Sequence, residues 1–222
     1  MMNTLTTHPL STILEKLFSE SDNSQARLFQ TLGYLPETEQ QALMKEAGGE
    51  NYKIFYTRAK DHYMSISRDT GNLLYILCRA NSSRSVIEFG TSFGISTLHL
   101  AAAVKDNGGG KVISTEFEHK KVVQARINME KAGVEHLVEI REGDAIETLG
   151  QNLPEKIDFI LLDGAKTLYH PILMMLEDRM HTGTLIVADN AEWAPEYCHY
   201  VRISDNYVSV PFAKDIELSI RL

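Results

Sequence analysis

Apolar positions along the chain change their period once. Leu10, Ile13, Leu14, Leu17 and Phe18 recur at the i, i+3, i+4, i+7, i+8 spacing of one helix face. Further helical stretches are predicted at 24–33, 37–47, 50–63 and 68–80, punctuated by Pro36 and the Gly48–Gly49 pair. From Ser85 onward short apolar runs take over: SVIEF, KVISTE, LVEI, IDFILLD and TLIVAD. Helix-like stretches separate them, namely ISTLHLAAAV, HKKVVQARINMEKAG, AIETLG and PILMMLEDRM. Strands alternating with helices imply right-handed crossovers and a parallel sheet. The runs are almost continuously apolar, as strands covered on both faces are. The last two segments, NYVSVPFA and DIELSIRL, leave no room for a helix between them and read as an antiparallel hairpin on the sheet edge. The expected architecture is α/β, with a helical extension over 1–63 and the main domain over 64–222. The extension reads as core packing and dimer surface; a lid over a bound ligand is the alternative.

Charge narrows the partners. The 222 residues fit one globular domain with additions. Lys plus Arg number 22 and Asp plus Glu 30, a net charge of −8, so the positive footprint that a phosphate backbone needs is missing and no nucleic-acid partner is expected. The opening MMNTLTTHPLSTILEKLF has no basic segment followed by a continuous apolar run, so neither a signal peptide nor a membrane span is expected. Cys78 and Cys198 form no CxxC pair and read as free thiols in a reducing cytoplasm.

Ligands of open α/β sheets bind at the carboxyl ends of the strands. Here those ends carry Glu88 and Gly90, Glu116, Asp144, Asp163, then Asp189 with Asn190. The turn Gly90–Thr91–Ser92–Phe93–Gly94 has a GxxxG spacing and not the GxGxxG of a dinucleotide site, so no pyrophosphate loop is expected. The glycines at 108–110 are no P-loop, since position 105 is Lys and position 112 is Val. Glu116 lies where a carboxylate accepts both hydroxyls of a ribose, with Phe117 beside it. Asp144, flanked by Gly143 and Ala145, can reach an adenine amine; it also suits a helix N-cap, and the two roles can coexist. A nucleoside without pyrophosphate points to S-adenosylmethionine. Its methionine end would lie by the glycine turn, with Ser96 on the carboxylate. A tight strand-to-helix connection holding no ligand is the alternative.

Asp163, Asp189 and Asn190 all offer oxygen, which suits Mg²⁺, or Mn²⁺ or Ca²⁺, over zinc; ordinary turn chemistry is the other reading of the Asp189–Asn190 pair. The segments VIEFGTSFGISTLHLA, STEFEHKKVVQARINMEKAG, EGDAIETL, IDFILLDGAKTLY and LIVADNAEW together resemble the catechol and caffeoyl-CoA type of O-methyltransferase. These are class I, S-adenosylmethionine-dependent and commonly cation-dependent enzymes. The resemblance runs from about Met64 to the C-terminus. It implies the Rossmann-like methyltransferase fold, a seven-stranded mostly parallel sheet in the order 3-2-1-4-5-7-6 with strand 7 antiparallel. It places Ser65, in HYMSISRDTG, near the cofactor. It implies that Asp163, Asp189 and Asn190 bind a divalent cation that holds two vicinal oxygens of a small-molecule acceptor. It also implies Asp163 and Lys166 as catalytic residues, Lys166 as the base, in the Asp-x-x-Lys pattern followed by Tyr169; a surface lysine is the alternative. Tyr169 and Trp193 are candidates for the acceptor pocket, core packing being the alternative for each. Gly164 and Ala165 replace larger residues of the catechol enzymes, implying a more open acceptor site. The segment between the last two strands is too short for those enzymes' acidic clamp. A homodimer is expected from the resemblance. The competing expectations are a metal-independent methyltransferase of the same fold and a non-catalytic S-adenosylmethionine-binding protein.

Overall fold

A computed structural model describes residues 3–33, 38, 52–213 and 215–222. Its strands are β1 (Ser85–Phe89), β2 (Lys111–Glu116), β3 (Val138–Glu142), β4 (Ile157–Leu162), β5 (Met180–Ala188), β6 (Tyr207–Phe212) and β7 (Ile216–Arg221). They form one sheet in the order β3-β2-β1-β4-β5-β7-β6. The pairs from β3 to β5 are parallel, whereas β7 runs antiparallel to both β5 and β6. The order and the direction of each strand match the sequence expectation.

Successive residues of a strand point to opposite faces, and the central strands use both. Val86, Val112, Phe159, Leu161 and Val187 pack into one core. Ile87, Phe89, Ile113, Ile160, Leu162 and Ile186 pack into the other. On the first face lie α1 (Leu10–Gly33), α3 (Arg68–Ala80), α4 (Ile95–Asp106) and α5 (His119–Ala132). On the second lie α6 (Ala145–Thr148), α7 (Tyr169–Leu176) and α8 (Pro195–Ile203). The short α2 (Tyr52–Arg58) stands over the carboxyl ends of the strands, where Tyr52 and Tyr56 line one cavity together with the loops after β1, β2, β3 and β4. No helix among the described residues is long and apolar enough to cross a membrane.

The N-terminal helices differ from expectation. The stretches at 10–18 and 24–33 are one helix, α1. The polar residues between them contain no Gly or Pro, and Ser21 and Ser24 face inward: Ser21 Oγ meets Ser65 Oγ at 2.6 Å, and Tyr63 N donates to Ser24 Oγ. Polar residues there mark a docking face and not a break. The stretch 37–47 lies outside the described residues apart from position 38. Of the helix expected over 50–63, residues 50 and 51 lie outside the described residues, Tyr52–Arg58 is helical, and the chain turns directly after it, with His62 N bonded to Ala59 O. Two elements were not expected at all in their observed extent. α8 starts with Pro195 in the first turn, a position that needs no donor. β5 begins at Met180 and absorbs a register shift against β4.

α4 is buried on every side, its residues Ile95–Val104 all lying inside. That includes His99, 3% exposed, whose Nδ1–H donates to Ile95 O at 2.8 Å. Its ring touches Phe18 and fills the space that a side chain at position 71 would need. Burial pushes its pKa down from 6.5 to about 4. Between those two pH values the unfolded chain takes up a proton that folded His99 refuses, so stability falls as pH drops through this window. The loss attributable to His99 is at most about 3 kcal/mol. Urea denaturation of wild type and His99→Gln at pH 7 and pH 4.5 checks it: the variant should lose less stability on acidification, and equal losses would refute the assignment.

Candidate active site

The loops after β1, β2, β3 and β4 are tied to each other by backbone bonds. Gly90 N and Thr91 N both donate to Thr115 O, Gly143 N to Glu116 O, and Asp163 N to Phe89 O. Gly90 has φ +106°, and a Cβ there would strike the Asp163 carbonyl oxygen. Only glycine lets the two strand ends approach this closely.

Below the turn, Glu88 is fully buried. Its Oε2 accepts from Thr97 Oγ1 and Ser114 Oγ, and Ser114 Oγ also meets Thr91 Oγ1. Burial pushes the Glu88 carboxyl pKa up, against the pull of these hydroxyls. Its Oε1 and the neighbouring Ser92 Oγ are buried without a hydrogen-bond partner among the described residues.

Glu116 is held from three sides. Oε2 accepts from Ser92 N and Oε1 from Glu118 N, each at 2.9 Å, and the Phe117 amide adds a third bond. Burial still raises its pKa, while the nearby Lys121 ammonium opposes that rise. Asp144 caps α6 through a bond from Ile146 N to Oδ1. Its Oδ2 accepts from Lys53 Nζ at 2.5 Å, and Lys53 holds the carboxyl below the usual range. The N-cap reading of Asp144 is therefore correct, and the carboxylate also carries a cation from α2.

Two cavities meet at this point. The first is lined by Gly90, Ser92, Glu116, Phe117, Gly143, Asp144, Ala145 and Asp163, with Tyr52, Lys53, Tyr56, Met64, Phe89, Lys121, Gly164, Ala165 and Leu168 among its other walls. The second is lined by Met64, Ser65, Gly90, Thr91, Ser92, Ser96 and Asp163. Eleven of the thirteen residues singled out for the cofactor line one or both. Glu88 and Gly94 do not: Glu88 braces the turn from beneath, and Gly94, at φ +90°, caps α4 with its Cα against Met129.

Asp163, Asp189 and Lys166 cluster at the ends of β4 and β5. Lys166 Nζ lies 3.7 Å from Asp163 Oδ1 and donates to Tyr169 Oη and Asp189 O. Burial raises the Asp163 carboxyl well above its ordinary pKa, and the Asp189 charge adds to this. Asp189 is also raised by burial, against the pull of Lys166. Asn190 follows in a left-handed conformation with φ 50°. Asp189 and Asn190 also line an open groove with Phe18, Ser65, Asp69, Phe212 and Asp215. Among the described residues no three His, Cys, Asp or Glu side chains are grouped to hold a metal ion; the arrangement offers two carboxylates and one amide. Tyr169, for which core packing was the other reading beside the acceptor pocket, is wholly buried and anchors Lys166 from the core. Trp193 is 60% exposed.

The O-methyltransferase family pattern matches residues 38–217. The chain belongs to that family. A catechol O-methyltransferase of Niastella koreensis is 34% identical over 130 residues, 57% of this chain and 58% of that protein. Caffeoyl-CoA O-methyltransferase 5 of Nicotiana tabacum is 32% identical over 135 residues, 59% of this chain and 55% of its own length. The chain thus spans just over half the length of these curated relatives. Among solved structures, the O-methyltransferase of Bacillus cereus in complex with SAH superposes with a TM-score of 0.65 at 20% identity, over 88% of this chain and 96% of that one. This O-methyltransferase family member accordingly shares their fold.

Sequence reasoning missed the contribution of α2 and of Lys121 to the first cavity. Lys53 reaches Asp144 across 91 positions, and no local pattern announces such a contact. Lys121 did carry a signal. It falls in register with Ala125, Asn128, Met129 and Ala132 on the buried face of α5, where a lysine is out of place unless it serves a ligand or a charge.

Proposed function

We propose that the protein transfers a methyl group from S-adenosylmethionine to a hydroxyl of a small molecule, a vicinal diol or phenol, with a divalent cation at Asp163, Asp189 and Asn190. The observation that carries this reading is the junction of the two cavities at Gly90 and Asp163. The larger one suits a nucleoside over Glu116, the smaller one an amino acid among Ser65, Thr91 and Ser96. Glu116 then accepts from the ribose hydroxyls, Asp144 from the adenine amine once Lys53 yields, and Ser96 donates to the carboxylate. Met64, Phe89 and Leu168 exclude water.

When bound, S-adenosylmethionine would supply a sulfonium methyl for in-line displacement by an acceptor oxygen, the O–C bond forming as the C–S bond breaks and S-adenosylhomocysteine leaving as a neutral thioether. A divalent cation, Mg²⁺ foremost, held by Asp163, Asp189 and Asn190 would supply Lewis acidity toward the acceptor hydroxyl. The residues fit such an ion, because Asp163 and Asp189 are carboxyls whose proton affinity burial raises even against the nearby Lys166 ammonium, and hard oxygen donors of this kind suit a divalent cation. Lys166 in its neutral amine form would take the acceptor's proton on the Nζ lone pair, while its two N–H groups donate to Tyr169 Oη and Asp189 O and hold it in place. The acceptor enters by the groove between Phe18, Asp69, Phe212 and Asp215, which α1 borders through Phe18, Ser21 and Asp22, and α1 also serves as cover and homodimer surface. One observation favours the metal-independent alternative: Lys166 already places an ammonium 3.7 Å from Asp163.

Isothermal titration of S-adenosylmethionine into wild type and Glu116→Gln, followed by transfer assays on vicinal diphenols with and without EDTA, tests the reading. The variant should bind about ten- to a hundredfold more weakly. Transfer should stop with EDTA and with Asp189→Ala. Transfer indifferent to EDTA would install the metal-independent alternative; a wild type that ignores S-adenosylmethionine would end both.

A further inference from the structure

Lys121 is 3% exposed, yet among the described residues its ammonium makes no hydrogen bond or salt bridge. It lines the same cavity as Glu116. Its Nζ stands 5.7 Å from the ring centroid of Phe93, which is itself stacked on Tyr63 at 4.2 Å. Four carboxylates, those of Glu116, Glu118, Asp163 and Asp61, act on it at longer range and partly offset the downward push of burial on its pKa. A buried cation without a close acceptor is costly. The open side of Lys121 is the cavity, so the group that satisfies it belongs to the occupant.

That occupant must present an oxygen or nitrogen acceptor within reach of both Lys121 and Glu116. A ribose hydroxyl does so, because it donates its hydrogen in one direction and keeps lone pairs for another. We propose that Lys121 is a cofactor-binding residue that donates to a ribose hydroxyl oxygen whose hydrogen is given to Glu116, so that the two side chains clamp the sugar. The proposal rests on the assignment of the larger cavity to the nucleoside. Phe93 serves the clamp by covering the lysine with an aromatic face, which tolerates a cation where an aliphatic wall would not.

The test is titration of S-adenosylhomocysteine and its 2′-deoxy and 3′-deoxy analogues into wild type, Lys121→Met and Lys121→Arg. Lys121→Met should bind the parent ligand about ten- to a hundredfold more weakly, with Lys121→Arg recovering part of the loss. The decisive readout is coupling: the penalty for deleting the contacted hydroxyl should shrink severalfold in Lys121→Met. Ligand-free Lys121→Met should also melt higher than wild type, since an unpaired buried charge is gone. Unchanged affinity in a folded Lys121→Met overturns the proposal, as does a weaker affinity with both deoxy penalties intact, which would mark a purely structural lysine. Should Lys121→Met not fold, the coupling is read in Lys121→Gln against the same criteria. Wild type that fails to bind S-adenosylhomocysteine refutes the nucleoside assignment and the clamp with it.

Discussion

Lys166→Met is expected to lower kcat for methyl transfer by about a hundred- to ten-thousandfold, the range lost with a positioned general base. Cofactor affinity should change by less than about threefold, because Lys166 is not among the residues lining the two cavities proposed for the cofactor. Three contacts justify so large an effect on the chemical step. Nζ donates to Tyr169 Oη at 2.7 Å and to Asp189 O at 3.1 Å, and it lies 3.7 Å from Asp163 Oδ1. Tyr169 is wholly buried and is fixed in turn by its own bond to Asp189 O. The lysine is therefore not a surface residue free to sweep the solvent, and its side chain is only 13% exposed. Methionine keeps the stem and removes the amine. Single-turnover kinetics at saturating S-adenosylmethionine separate this loss from binding. A kcat within fivefold of wild type would remove Lys166 from the mechanism and leave alignment alone to account for the rate.

Gly90→Ala is expected to fail in two ways at once. The residue sits at φ +106°, where a side chain is strained, and its Cβ would collide with the Asp163 carbonyl oxygen, with the carbonyl carbon at 2.7 Å. Neither atom is the end of a flexible side chain, so the ends of β1 and β4 must part. Strain and overpacking together cost about 2–5 kcal/mol. Gly90 also lines both cavities, so separation of the strands should weaken S-adenosylmethionine by at least about a hundredfold. Urea denaturation reads the first effect and isothermal titration the second. An unchanged midpoint with an unchanged Kd would mean that the turn is looser than its backbone bonds to Thr115 imply. Gly94→Ala is a useful contrast, since there the obstacle is the flexible end of Met129 and a positive φ, away from the cavities.

The strands and their polar ends were legible along the chain because each depends on local facts, whereas the strand order was an implication of the family resemblance. An apolar run such as IDFILL declares a strand buried on both faces, and the residue that ends the run lands at the carboxyl edge whatever else the fold does. Glu116, Asp144 and Asp163 could for that reason be placed without coordinates, as could the glycine turn that approaches Asp163. Three things depended on contacts between distant segments. Lys53 binds Asp144, and Ser21 meets Ser65, only because helices far away in sequence fold over the sheet edge. Glu88 and Tyr169 carry polar groups like their neighbours, yet both point into the protein, Glu88 to brace the turn and Tyr169 to hold Lys166. Lys121 stands on the buried face of its helix, where it lines the same cavity as Glu116. Which way a side chain faces at a strand or helix end, and what it meets there, is decided by packing between elements, and packing is a property of the assembled chain.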